Sequence, residues 1–138
     1  MKHLAYIFIL LGTCLLMSCS KEDFVTNSFI GTYSISVIQN VVWGNDSGTI
    51  NDNGTLHITM ISNNKVQLKG YITTQGVIRG KALYLEGNKV SDKEGHITTS
   101  YGVATLDGNI LTFTAYQTGE LSGYSYRNTS YFTAIKQN

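Results

Sequence analysis

Proline is absent from all 138 residues, charged side chains make up only 14%, and there are two cysteines and one tryptophan. Each shortage excludes something. A charge-laced helical bundle would carry nearer the usual ~25% of charged residues. Two cysteines cannot supply a disulfide framework. The one apolar run, Leu4 to Met17, falls short of the ~20 residues that cross a bilayer as a helix. Lys65, Lys69, Arg79, Lys81, Lys89, Lys93, Arg127 and Lys136 are scattered. Nucleic-acid binding therefore has no electrostatic footprint, and a polybasic membrane patch is missing as well. The length suits one small domain.

What is present is glycine, with 14 residues, and alternation. Phe29, Gly31, Tyr33, Ile35 and Val37 occupy every second position with Thr32, Ser34 and Ser36 between them. Leu56, Ile58 and Met60 repeat the pattern, as do Val66, Leu68, Gly70 and Ile72. A period of two marks half-buried strands. Asp52-Asn53-Gly54, Asn63-Asn64, Gln75-Gly76, Gly87-Asn88 and Asp107-Gly108-Asn109 read as hairpin turns. The spacing predicts strands near 30–42, 54–62, 65–74, 77–86, 95–106, 109–117, 120–127 and 130–136.

Eight strands and no helix of any length point to an all-β, antiparallel, up-and-down eight-stranded barrel. The alternative is a two-sheet sandwich. Closure is preferred because long strands without proline would otherwise leave edges that recruit other chains. At this size the interior either fills with side chains or holds one small ligand. Phe29, Tyr33, Ile35, Leu56, Ile58, Val66, Leu68, Val103 and Phe113 are the candidate lining and ligand-binding residues. Small residues at Gly70, Gly80, Ala82 and Ala115 favour some cavity. The faces of Val77 to Leu85 stay ambiguous, with Ile78 and Tyr84 on one side and Leu83 and Leu85 on the other.

The amino-terminal residues carry an address. Lys2 followed by the short apolar stretch is the pattern of a secretory signal. Leu16-Met17-Ser18-Cys19 resembles the bacterial lipobox, which implies cleavage after residue 18 and lipidation of Cys19. Only a thiol forms the thioether to diacylglycerol, and the amine freed by cleavage can then be acylated. Cys14 lies in the segment removed, so no thiol is left for a disulfide. Lys21, Glu22 and Asp23 resemble the surface-export signal of lipoproteins in some anaerobic Gram-negative bacteria. The expected organisation is a signal peptide at 1–18, a lipidated tether at 19–28 and a barrel at 29–138, held at the outer membrane and exposed at the cell surface. Side-chain charges beyond Cys19 cancel, nine basic against nine acidic.

Phe29-Ile30-Gly31-Thr32-Tyr33, the meander of glycine-punctuated strands and the closing Tyr131-Phe132-Thr133-Ala134-Ile135 resemble the small lipocalin-like lipoproteins of such bacteria. The likeness covers about 110 residues. It departs from lipocalins proper in having Tyr33 where they carry tryptophan, in placing Trp43 at the end of the strand, and in showing no helix after the barrel. Biotin-binding barrels wall their ligand with several tryptophans, and this chain has one.

Catalytic chemistry finds no constellation. His57 alternates outward between Leu56 and Ile58, His96 lies beside a loop, and a metal needs three or four converging ligands. Asp46, Asp52 and Asp92 fall in turn-like segments, and the oxygen-rich stretch from Asn45 to Gly54 has no closing glutamate for calcium. Serines lack a nucleophile-elbow context and a paired base, and Asp92 with Glu94 reads as a solvated turn. No enzymatic activity and no cofactor are expected. The tyrosines, with Tyr124 and Tyr126 on one strand face and Tyr131 on the next strand, are the one hint of a ligand.

Two functions follow from this reading. One is a surface-tethered barrel binding a small apolar or amphipathic ligand. The other is a display protein with a filled barrel whose loops bind a surface protein or glycan. Anchoring is directly testable: Cys19→Ala should release the protein from membranes or stall its processing, whereas unchanged membrane partition and electrophoretic mobility would refute lipidation.

Overall fold

A computed structural model of the chain describes residues 27–91 and 93–138. The expected signal peptide and lipidation site, Cys19, the expected export residues Lys21, Glu22 and Asp23, and Asp92 lie outside the described residues. A helical turn at 27–29 leads into ten strands. They are β1 (Gly31–Trp43), β2 (Asp46–Ser62), β3 (Lys65–Gly70), β4 (Thr74–Arg79), β5 (Ala82–Leu85), β6 (Asn88–Ser91), β7 (Gly95–Tyr101), β8 (Ala104–Asp107), β9 (Ile110–Leu121) and β10 (Tyr124–Lys136).

All of the pairings are antiparallel, and β10 returns to β1 from Tyr33↔Lys136 to Trp43↔Tyr126, which closes the sheet. The ten segments make eight staves. Ala82↔Thr105 and Asn88↔Thr99 share one register, so β5 and β6 form one interrupted strand facing β7 and β8, a second interrupted strand. Both β7 and β8 lie along β9. The architecture is the closed antiparallel eight-stranded barrel expected from the alternation, not the sandwich.

The segmentation differs from expectation at defined places. The stretch 77–86 turns back on itself at Gly80 (φ +59°), giving the end of β4 and all of β5. Of the stretch 120–127, Glu120 and Leu121 end β9 and residues 124–127 join 130–136 in β10, whose polar middle is held by ladders to β1 on one side and β9 on the other. Asp52-Asn53-Gly54 is not a turn: it pairs with Ile35 to Val37 inside β2, and the hairpin turn is at Gly44-Asn45. Gln75-Gly76 likewise lies within β4. Asn63-Asn64 and Gly108-Asn109 do turn the chain, and Ser122-Gly123 adds a turn with positive φ at both residues.

The turn at Gly80 and the strand pairings define the inner face. Because Gly80 reverses the chain, Ile78 sits opposite Leu83 and both are buried, while Tyr84 points outward with Ala82. Val103, expected on the lining, is 47% exposed. Pairing passes from Tyr101↔Ala115 to Thr105↔Thr112, so the β7–β8 side carries one extra residue. Such a bulge switches the inward parity, which buries Ala104 and turns Val103 out. Of the small residues thought to leave space inside, only Ala115 is in the core; Gly70 and Gly80 are exposed.

The core gathers Phe29, Tyr33, Ile35 and Val37 with Leu56, Ile58, Val66, Leu68, Leu83, Leu111 and their neighbours. Among the described residues the core and the closing ladder lie between Phe29 and Lys136. Tyr33 is fully buried, and its hydroxyl donates to the Phe29 carbonyl at 2.8 Å, which pins the entering turn beneath the barrel. Lys136 Nζ donates to the Ser28 carbonyl at 2.9 Å and ties the last strand to the same end.

Burial pushes the Tyr33 hydroxyl up to about 12. The folded state then keeps a proton that the unfolded chain loses near pH 10, so stability is intact below that pH and falls between about 10 and 12, by roughly 2–3 kcal/mol. Urea midpoints measured across this range should fall for the native protein. Tyr33→Phe should lose about 1 kcal/mol at neutral pH, because the Phe29 carbonyl loses its donor, and should lack this part of the alkaline decline. An identical alkaline profile in both proteins would refute the assignment.

Candidate binding site: an amide layer above a filled floor

The strands are unequal, and that inequality builds the site. β3 and β4 have 6 residues each, whereas β1, β2, β9 and β10 have 12 to 17. β3 pairs only with Leu56 to Ser62 of β2. Above that level the wall of described residues consists of β2, β1, β10, β9, β7 and β6 in that order, a curved sheet in which β2 and β6 are not paired with each other. The half that contains the start of β1 is packed shut, and the other half is a cleft.

The floor of the cleft is aromatic. Phe113 and Phe132 stack with centroids 4.4 Å apart and planes within 6°. Tyr71 meets the edge of this pair at 6.1 Å from Phe132, and Tyr101 flanks Phe113 at 6.4 Å. Burial raises the hydroxyl pKa of Tyr101 above its ordinary value. Eight of the nine predicted lining residues, all but Val103, are no more than 5% exposed and belong to the core below or within this floor. They fill the barrel by packing against one another.

Above the floor the inward series turns polar. On β1 it runs Tyr33, Ile35, Val37 and then Gln39; on β9 Leu111, Phe113, Ala115 and then Gln117; on β10 Ala134, Phe132 and then Ser130 and Asn128. Asn128, Gln117 and Thr99 are successive cross-strand partners and so stand at one level. Asn128 Nδ2 donates to Gln39 Oε1 at 3.2 Å and to Gln117 Oε1 at 3.1 Å. Gln39 Nε2 donates to the Tyr71 hydroxyl at 2.8 Å, which donates to Asp52 Oδ2 at 2.9 Å. Gln117 Nε2 reaches Thr99 Oγ1, and the Tyr126 hydroxyl reaches Gln117 Oε1, both at 3.4 Å.

Local sequence explains how Tyr71 gets there. Gly70 (φ +120°) swings the chain off β3, and a Cβ on Gly54 would stand 2.7 Å from the Tyr71 ring, so glycine at 54 leaves the ring its bed on β2. Burial, then the hydrogen bond and charge of Asp52, raise the Tyr71 pKa, with the Gln39 contact opposing. The hydroxyl stays protonated and donates. Asp52 does accept from the Asn53 amide, the local bond expected of it, but its second oxygen serves this network.

One atom is left over. Asn128 is 4% exposed, and among the buried side-chain polar atoms of the described residues its Oδ1 has no hydrogen-bond partner. Leaving a buried acceptor unpaired costs about 1–3 kcal/mol. Around the mouth stand Trp43 and Tyr124 in edge contact at 6.3 Å, with Tyr126, Ile97 and the exposed Val90. Tyr124 and Tyr126 share the inward face as their spacing required; Tyr131 belongs to the same strand with opposite parity and is exposed outside.

His57 is on the outer face, with Nδ1 3.0 Å from Thr32 Oγ1, and His96 is half-buried opposite Glu120. Among the described residues no three His, Cys, Asp or Glu side chains converge as a metal would require. Reading the sequence missed Gln39, Asp52, Tyr71, Gln117 and Asn128 as site residues. The signal available was the change from apolar to polar along a single inward face, at Val37–Gln39 and Ala115–Gln117.

No protein-family model and no curated protein matches this sequence. A solved structure from Nostoc punctiforme, a protein of unknown function from the DUF3598 family, aligns with a TM-score of 0.41 at 11% identity over 80% of this chain. The aligned chain spans about half, 48%, of that protein's length.

A filled floor makes a clear prediction about space. Ala115→Phe should destabilise the fold by about 1–3 kcal/mol, the usual cost of overpacking, because Ala115 is buried beside the aromatic plate. Ala82→Phe, on the outer face, should change the thermal midpoint little. Equal tolerance of both would mean that the interior has room.

Proposed function

We propose that this protein is a binding module that takes a small amphipathic ligand in the cleft at the open end of the barrel. The observation that carries this reading is the half-buried amide layer with the unpaired acceptor of buried Asn128, set under an aromatic and aliphatic mouth. Pockets of this kind use apolar walls for affinity and a few placed polar groups for orientation. The closed end is packed with side chains, so an apolar ligand has its opening at the polar end. The role is binding without catalysis, and no cofactor is assigned.

The leader pattern and Cys19 support a lipoprotein of the outer membrane, with Lys21, Glu22 and Asp23 favouring exposure at the cell surface. The geometry suits that arrangement. Residues 27–29 enter beneath the closed end, so a lipid on the amino-terminal side would leave the cleft facing away from the membrane. A second reading, display to a protein or glycan partner, is favoured by one feature: among the described residues β6 pairs only with β7, leaves its outer edge free and carries the exposed Val90.

Trp43 is the only tryptophan and stands at the mouth, so its emission reports on the cleft. Neutral naphthalene amphiphiles titrated into residues 20–138 should quench it with one-to-one stoichiometry. They should move the backbone amide resonances of Gln39, Gln117 and Asn128 more than those of Leu56 and Leu68, and Tyr124→Ala should weaken binding several-fold. No quenching by any such probe would overturn the reading, and shifts confined to Asn88–Ser91 would favour display.

A further inference from the structure

Resting on the cleft reading, we propose that the site selects ligands whose polar head donates a hydrogen bond. Asp52 enforces this choice through a one-way relay that ends at Asn128 Oδ1. The direction is set by chemistry. An ionised carboxylate only accepts, so the Tyr71 hydroxyl donates to Asp52 Oδ2 and can only accept from its other neighbour, Gln39 Nε2. With its nitrogen so engaged, Gln39 turns Oε1 toward Asn128, which must answer with Nδ2. The same Nδ2 gives its second hydrogen to Gln117 Oε1, and Gln117 directs its own nitrogen to Thr99.

Every donor of the Asn128 amide is thereby consumed, and Oδ1 is the atom left without a partner. Rotating the amide would not relieve it, because its oxygen would then face two other amide oxygens. Only a partner that brings an O–H or N–H satisfies the site. A carboxylate head group would offer another acceptor and would add charge near Asp52. A ligand with an ether or ester oxygen alone would leave Oδ1 as it is.

Tyr126 controls the approach. It stands two residues from Asn128 on the same face of β10, and its hydroxyl touches the same Gln117 oxygen that Asn128 does. At 3.4 Å that contact is looser than the Asn128 bond, and the ring is only half-buried, so it is the side chain that yields when a ligand enters. Asp52 touches no ligand in this scheme. It is a positioning residue.

The test compares 1-naphthalenemethanol, its methyl ether and 1-naphthoate on residues 20–138, read by Trp43 fluorescence. The alcohol should bind about tenfold more tightly than the ether, the scale of one net hydrogen bond, and the carboxylate should bind most weakly. Asp52→Ala removes an exposed side chain, so the fold should persist while the amides are freed to rotate, and the alcohol-to-ether ratio should fall toward one. Asn128→Leu should collapse the same ratio by removing the acceptor. Equal binding of alcohol and ether by the native protein would overturn donor selection and leave the cleft reading standing. An undiminished ratio in Asp52→Ala would overturn the relay. Failure of all three probes to bind would remove the cleft reading itself.

Discussion

The ladder between β1 and β10 is the constraint on which the remaining structure depends. It runs from Tyr33↔Lys136 to Trp43↔Tyr126 and joins the first strand to the last. Without it, two of the longest strands would expose unpaired backbone, a standing invitation to pair with other chains in a protein that has no proline to blunt an edge. With it, the inward residues of every stave are brought into one volume. The Phe113–Phe132 stack, a direct cross-strand pair of the β9–β10 hairpin, then meets Tyr71 from the β2–β3 side of the wall.

Closure with staves of unequal length cannot give a uniform barrel. Where all eight are present the interior is narrow enough for Tyr33, Leu56, Leu68, Leu83 and Leu111 to fill it. Where β3 and β4 have ended, the wall of described residues opens on one side. The inward positions at that level are Gln39 and Gln117, half-buried, and Asn128, buried, which hydrogen-bond one another beneath the mouth. The same inequality leaves Asp52 exposed at the open margin, within reach of Tyr71. A charge at the rim thus orders neutral amides deeper in, where an ion would be costly to bury. The stacked rings beneath give those amides a rigid base.

Much of this architecture is legible in the sequence. The alternation from Phe29 to Val37, at Leu56 and Ile58 and from Val66 to Leu68 identifies buried residues correctly, because side-chain direction in a strand has a period of two and depends on nothing distant, whereas Met60, of the same series, is exposed at the end of β2. Where the period is broken, legibility ends. Alternation misplaces Val103 because the bulge between β7 and β8 is set by how that stave meets β9, and a one-residue slip exchanges the two faces. Asp52-Asn53-Gly54 has the composition of a turn, yet β1 pairs with it as strand; Gly54 is there to accommodate the Tyr71 ring.

By itself the sequence determined the fold class, the number of staves and most of the core, since these follow from local periodicity, turn chemistry and the absence of helical patterns. The proposed lipidation at Cys19 likewise rests on a local run, Leu16 to Cys19, that is readable without the fold. Only the tertiary structure decided that the candidate lining is packed floor and that the cleft lies above it. Gln39, Asp52, Tyr71, Gln117 and Asn128 are up to 89 residues apart along the chain, and the distance between Gln39 and Asn128 is bridged only when β10 closes onto β1. No local pattern records a hydrogen bond whose two ends meet only on closure.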